Sequence, residues 1–315
     1  MTIPVVDLAE FTSGDAVLKQ KFVNELGRAY EEVGFVAVKN HGVPDHLIAD
    51  LYKYVQQFFS LPLEKKREYE IPDLAGQRGY TSFGKEHAKG SDAPDLKEFF
   101  QYGQKAEGEE YIPEEYPDNV QVNEISAFNP TFHESYRAFE ESGKKLLQAI
   151  ALYLGLDEFY FDNYIKEGNS ILRPIHYPPI TDEPKDAVRA AAHGDINLIT
   201  LLMGAQGKGL QVQNHNGEWV DAIAQPDELM INVGDMLSRH TNNKLKSTIH
   251  QVVNPPRELW GSSRFSIPFF MHPVSDMSLN CLPECIDENN PKLYEDITAG
   301  EFLTERLIEL GLIKK

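Results

Sequence analysis

Between residues 171 and 270 the chain breaks into short runs: ILRPIHY (171–177), AVRAAA (187–192), INLITLLM (196–203), GLQVQ (209–213), EWVD (218–221), ELMINV (228–233), STIHQVV (247–253) and RFSIPFF (264–270). Most are rich in β-branched, aromatic or other apolar side chains, and turn formers separate them, which is the pattern of successive strands. Asn214-His215-Asn216-Gly217 reads as a hairpin turn, because Asn-Gly supplies the positive φ angles that tight hairpins need. Eight short strands in sequence predict a sandwich or barrel, most naturally closed as a double-sheet jelly roll.

Working outward from this block, apolar residues at helical spacing predict a long helix over 130–154, with Phe132, Tyr136, Phe139, Leu146, Leu147 and Ile150 along one side. Residues 68–125 are rich in Gly, Pro, Asp and Glu with weak periodicity and read as loops lying over a site. The first 60 residues read as β-α-β-α: a strand at 3–8, a helix from Asp15 to Val33 ended by Gly34, a strand at 35–38, and a helix closing near Phe59. Helical spacing returns from Ile297 to Leu312, as a lid or brace. The expected fold is mainly β with flanking helices. An N-terminal α/β region with active-site loops (1–125) and a core with its supporting and C-terminal helices (126–315) form one compact unit.

Composition narrows the function classes. The chain has 315 residues, 41% hydrophobic and 25% charged, as in ordinary globular proteins. With 49 acidic and 30 basic residues the net charge is -19, which disfavours a phosphate backbone as partner. No apolar run approaches the roughly 18 residues of a membrane span, and the N-terminus lacks the pattern of a signal peptide. The expectation is a cytoplasmic protein that binds neither nucleic acid nor membrane, with no protein partner implied. Cys281 and Cys285, the only cysteines, are too few for a disulfide scaffold or a zinc site and read as incidental thiols.

Ala191-Ala192-His193-Gly194-Asp195 places an imidazole and a carboxylate two residues apart, on one face if the segment is extended. His250, on a separate strand-like run, is a third candidate that a barrel would bring opposite. Two imidazoles and one carboxylate occupy one face of an octahedral Fe(II) and leave adjacent positions open for an organic chelate and dioxygen. Arg264 and Ser266 share a strand face and suit a carboxylate through charge-assisted hydrogen bonds, and Tyr177 adds a phenol donor. Taken singly, each has a plain structural reading: a surface ion pair, a solvent-facing strand residue, a core aromatic. His41 and His272 read more readily as structural, His176 alternates to the face opposite Tyr177, the Asp235/Arg239 pair beside His240 reads equally as a loop brace or a substrate contact, and Arg78, Tyr80 and Phe99 either face the substrate or pack in the core or at the surface.

Taken in order, HYPP, HGD, a histidine after 54 further residues, and RFS resemble the isopenicillin N synthase-like family of non-haem iron oxygenases, mostly dependent on 2-oxoglutarate. IPVVDL, GFVAVKNHGVP, RGY at 78–80 and DLKEFFQYG from Asp95 extend the resemblance over nearly the whole chain. The resemblance implies a distorted double-stranded β-helix. It implies Fe(II) held by His193, Asp195 and His250, and 2-oxoglutarate held by Arg264 and Ser266 with Tyr177 as helper. The implied reaction consumes O2, releases succinate and CO2, and oxidises a small-molecule substrate, most simply by hydroxylation. Two departures stand out: a longer His250 to Arg264 interval around Asn254–Gly261, and Ile175 where many plant members carry Asn. Three other readings share these residues. They are an oxidase of the isopenicillin N synthase or amino-cyclopropane oxidase type without 2-oxoglutarate, a zinc hydrolase, and a non-catalytic jelly-roll binding protein.

Overall fold

The computed structural model describes residues 2–74, 76–86, 95–105, 116–203 and 209–309. The chain opens with β1 (Val5–Asp7), α1 (Leu8–Thr12), α2 (Ala16–Glu32), β2 (Phe35–Lys39), α3 (Asp45–Phe59) and α4 (Leu63–Arg67). Asp15 caps α2 by accepting from the amides of Val17 and Leu18 at 2.7 and 3.2 Å. Gly34 ends that segment at φ +76°, where a Cβ would come within 2.3 Å of the Lys246 carbonyl, so the tight turn into β2 requires glycine. Then follow β3 (Gly79–Thr81), β4 (Glu98–Gly103), the long α5 (Phe128–Tyr153) and α6 (Asp162–Ile165). The strand-rich part contains β5 (Ile171–Leu172), β6 (Ile175–Tyr177), β7 (Ala190–His193), β8 (Ile199–Met203), β9 (Leu210–Gln213), β10 (Trp219–Asp221) and β11 (Leu229–Val233). After α7 (Asp235–His240), it closes with β12 (His250–Val252), β13 (Arg264–Met271) and α8 (Ala299–Glu309).

The strands form two sheets. The larger runs β1-β2-β11-β8-β13-β5-β4-β3, with β6 paired to both β13 and β4; the smaller runs β10-β9-β12-β7. The architecture is the expected double-stranded β-helix with flanking helices. Alternation along the strands builds two cores. Outward-facing Val36, Val38, Leu229, Ile231, Leu201 and Phe269 pack beneath the helices, where Phe139 of α5 stacks on Phe269 with ring centroids 5.7 Å apart. Inward-facing Phe35, Ala37, Met230, Ile175 and Tyr177 of the larger sheet meet Ala190, Val212 and Val252 of the smaller one, filling the space between the sheets. All six residues expected along the apolar side of the long helix are buried.

Three sequence expectations change. The 171–177 run is two strands, split where Pro174 lacks a donor and the Arg173 amide turns to the Pro268 carbonyl at 2.9 Å. The stretch 68–125 contains two strands, β3 and β4. Every residue of β4 is buried, so it shows no polar alternation for the eye to catch. The strand carrying His193 ends there, so Asp195 lies beyond β7 and not on its pleat. Arg78 and Tyr80 are core residues, each about 1% exposed. The C-terminal helix braces the fold through buried Phe302; residues 310–312 of the expected helix lie outside the described residues.

Candidate active site

His193 sits at the end of β7 and His250 at the start of β12, and the two are direct partners in the antiparallel register of the smaller sheet. The sheet itself therefore brings their rings to a centroid separation of 4.5 Å. Gly194 turns the chain so that Asp195 reaches the same point, with its Oδ1 at 4.0 Å from His193 Nε2 and 3.7 Å from His250 Nε2. These three form a group whose ligand atoms all lie within 4.8 Å of one another. It joins two residues that the sequence suggested were neighbours with a third from a distant strand.

Each candidate ligand is oriented by a partner. His193 Nδ1 donates to the Ala191 carbonyl at 2.7 Å and His250 Nδ1 to the Thr248 carbonyl at 3.2 Å, which leaves both Nε2 lone pairs free for a cation. Asp195 Oδ2 accepts from Thr200 Oγ1 at 2.6 Å and from Asn232 Nδ2 at 2.7 Å, while Asn197 Nδ2 donates to Thr200 at 3.0 Å. Burial alone would raise the Asp195 carboxyl. The imidazoles of His250 and His193 and the bonds from Asn232 and Thr200 prevail and hold it below the usual carboxylate range. Desolvation, then the neighbouring His250, lowers the His193 imidazole and favours its neutral, ligating form. Two nitrogens and one oxygen with fixed tautomers fit Fe(II), whose chemistry needs open positions beside such a set.

A second cluster lies on the larger sheet. Arg264 and Ser266 alternate along β13, both buried, and β6 pairs antiparallel with them so that Tyr177 stands opposite Arg264. The Arg264 guanidinium lies 5.0 Å from the centre of the Tyr177 ring. It is 2% exposed, and its Nε and Nη1 make no hydrogen bond. A buried guanidinium does not give up its proton, so unused N–H groups there call for an anion. The terminal carboxylate of 2-oxoglutarate fits that demand.

The remaining candidates separate clearly. His176 faces away from Tyr177's side, bonded through Nδ1 to Glu98 at 2.7 Å and through Nε2 to Ser263 at 2.9 Å. His41 accepts from the Val43 amide within its turn. Asp235 accepts from Ser247 and Arg239 donates to the Glu295 carbonyl, so these two do not brace each other. His272 is not part of the converging set. Phe99 belongs to the inner cluster beside Ile175 and Tyr177. Both cysteines are free and buried. Sequence reasoning missed Thr200 and Asn232; the available signal was a polar residue embedded in each of the apolar runs INLITLLM and ELMINV.

Fold and site together present a jelly roll with a candidate three-ligand metal centre and a buried arginine suited to an anion. The family model described as the 2OG-Fe(II) oxygenase superfamily matches residues 167–273, and one described as non-haem dioxygenase in morphine synthesis N-terminal matches residues 3–123. The chain is 31% identical to the 2-oxoglutarate-Fe(II) type oxidoreductase hxnY of Emericella nidulans, over 95% of this chain and 88% of that protein. Among solved structures, a putative 2OG-Fe(II) oxygenase family protein from Caulobacter crescentus is 41% identical, with TM-score 0.88, covering 98% of this chain and 99% of that one. A full-length Neurospora crassa protein solved in complex with alpha-KG is 31% identical, with TM-score 0.86, covering 97% and 95%. The chain belongs to the 2OG-Fe(II) oxygenase superfamily. Its activity is that of a 2-oxoglutarate- and Fe(II)-dependent dioxygenase, with O2 as the co-substrate.

Proposed function

We propose that this dioxygenase hydroxylates a small molecule within the isopenicillin N synthase-like branch, with His193, Asp195 and His250 as the iron ligands. Arg264, Ser266 and Tyr177 hold the distal carboxylate of 2-oxoglutarate. The observation that carries the cosubstrate assignment is the pair of unbonded N–H groups on buried Arg264. When bound, iron with 2-oxoglutarate and O2 supplies the oxidising power, and succinate and CO2 leave as coproducts.

The residues of the chain have separate tasks. The backbone carbonyls of Ala191 and Thr248 hold the imidazole tautomers, and Thr200 and Asn232 keep the Asp195 carboxylate ionised and aimed. Arg264 fixes one end of the oxo acid, and apolar Phe35, Met230 and Val212 between the sheets exclude water from the other side. The proposal includes a cytoplasmic location, no obligatory protein partner, and an N-terminal region (1–125) working as one unit with the core (126–315). The similar Neurospora crassa protein has been solved with thymine and with 5-formyluracil, so small heterocycles head the substrate screen.

The test is an anaerobic titration of Fe(II)-loaded protein with 2-oxoglutarate, read by the visible absorption of a metal-chelated 2-oxo acid. The band is expected to appear and to weaken in Arg264→Ala. Iron binding without a band would overturn the cosubstrate assignment, and absence of iron binding would overturn the metal assignment.

A further inference from the structure

Arg189 lies four residues before His193 and carries a second buried guanidinium into the region of Arg264. It is 3% exposed, its Nε makes no hydrogen bond, and its Nη2 donates to the Ser262 carbonyl at 3.2 Å. Its guanidinium lies 5.8 Å from the centre of the Tyr177 ring, the same ring that Arg264 approaches at 5.0 Å. Arg189 and Arg264 are close enough for each charge to act on the other, and burial together with Arg264 pulls the Arg189 pKa below its ordinary value. Among the described residues neither guanidinium has a carboxylate within ion-pair distance, although Lys97 nearby in the fold is paired to both Asp95 and Glu86.

Two like charges held out of water around one phenol ring are unfavourable unless an anion joins them. Two other buried cations of this acidic chain are answered by carboxylates, Lys66 by Glu98 at 2.7 Å and Lys97 by Asp95 at 2.8 Å. An unanswered pair is therefore an arrangement for a ligand. We infer that Arg189 is a second arginine for the distal carboxylate of the oxo acid, sharing it with Arg264 across the Tyr177 ring and making the site selective for a dicarboxylate. This rests on the cosubstrate assignment above and extends it to a residue outside the RFS motif. Arg189 then specifies which oxo acid is accepted, without touching the metal or the oxidised substrate.

The test compares 2-oxoglutarate with 2-oxopentanoate, which keeps the chelating end and replaces the distal carboxylate by a methyl group. Dissociation constants are measured anaerobically on the Fe(II)-loaded full chain by the chelate absorption, for wild type, Arg189→Gln and Arg189→Lys. In Arg189→Gln the constant for 2-oxoglutarate is expected to rise about tenfold or more, the scale of a lost charge-assisted hydrogen bond, and that for 2-oxopentanoate to stay the same. Arg189→Lys keeps the charge but not the fork and is expected to fall between, which also carries the test if the Gln variant does not fold. An equal change for both acids, or none for either, would overturn the inference and leave the cosubstrate assignment standing. Failure of wild type to bind 2-oxoglutarate at all would overturn both.

Discussion

Thr200 Oγ1 donates a 2.6 Å hydrogen bond to Oδ2 of Asp195, leaving Oδ1 as the oxygen nearest the two imidazoles. Removing that donor unlocks the carboxylate without deleting a ligand. Thr200→Val, or Asn232→Ala, is expected to weaken Fe(II) binding by about 10–100-fold while the fold persists, in line with the usual effect of orienting partners. Metal titration followed by circular dichroism checks it; unchanged affinity in both variants would show that the carboxylate holds its aim unaided.

Deleting a ligand is harsher. His193→Ala and Asp195→Ala are expected to abolish 2-oxoglutarate turnover, measured as succinate release, because either change leaves two donors of a three-donor set. Normal, substrate-coupled turnover in either variant would contradict the ligand assignment.

Arg264→Ala is expected to act mainly on the cosubstrate requirement. Losing a buried charge-assisted contact is worth about 2 kcal/mol or more, so the apparent KM for 2-oxoglutarate should rise at least about 30-fold. Steady-state kinetics at saturating primary substrate separate this from a fall in kcat, which would instead mark a disturbed metal centre.

Glu98 ties the N-terminal region to the strand that carries Tyr177. Its carboxylate accepts from Lys66 at 2.7 and 2.8 Å, from Tyr80, and from His176 at 2.7 Å. Glu98→Ala strands a buried ammonium and is expected to destabilise the protein by about 3–5 kcal/mol. Denaturant unfolding measures this, and a loss under about 1 kcal/mol, the scale of an exposed pair, would show the network to be dispensable.

His240 gives the fold an acid-sensitive point. Burial lowers its imidazole to about 4, against smaller raising effects from the Asn280 carbonyl and Glu284, and the ring is fixed between Tyr160 and Asn280. The native state thus refuses a proton that the unfolded chain accepts. This contribution is complete above the unfolded value near 6.5 and is lost as pH falls from there towards 4, by at most about 3 kcal/mol. Unfolding curves across that window should flatten in His240→Gln; an identical slope would assign the acid sensitivity to other groups.

The jelly roll and the three candidate ligands were legible because their signals are local: short apolar runs, an H-x-D pair, and a histidine embedded in a strand. The β4 segment hid because burial on both faces removes the alternation that marks a strand. Asp195 was expected to share a pleat with His193, yet it converges through the Gly194 turn and through bonds from β8 and β11, which no period-two count contains. Arg189 escaped for a related reason. A charge inside an apolar run looks like an edge feature until the fold places a second guanidinium against the same ring.

His193 and His250 ride on the smaller sheet, whereas Arg264, Ser266 and Tyr177 ride on the larger one. Asp195, in the connection from β7 to β8, reaches the imidazoles of one sheet while bonded to Thr200 and Asn232 of the other. Heritable change along β13 can therefore retune the Arg264 and Ser266 end of the proposed oxo-acid site apart from His193 and His250, whereas Arg189, four residues before His193, lies on the same segment as one candidate ligand. Asp195 is the joint between the two sheets, and its replacement is the substitution that neither sheet can absorb alone.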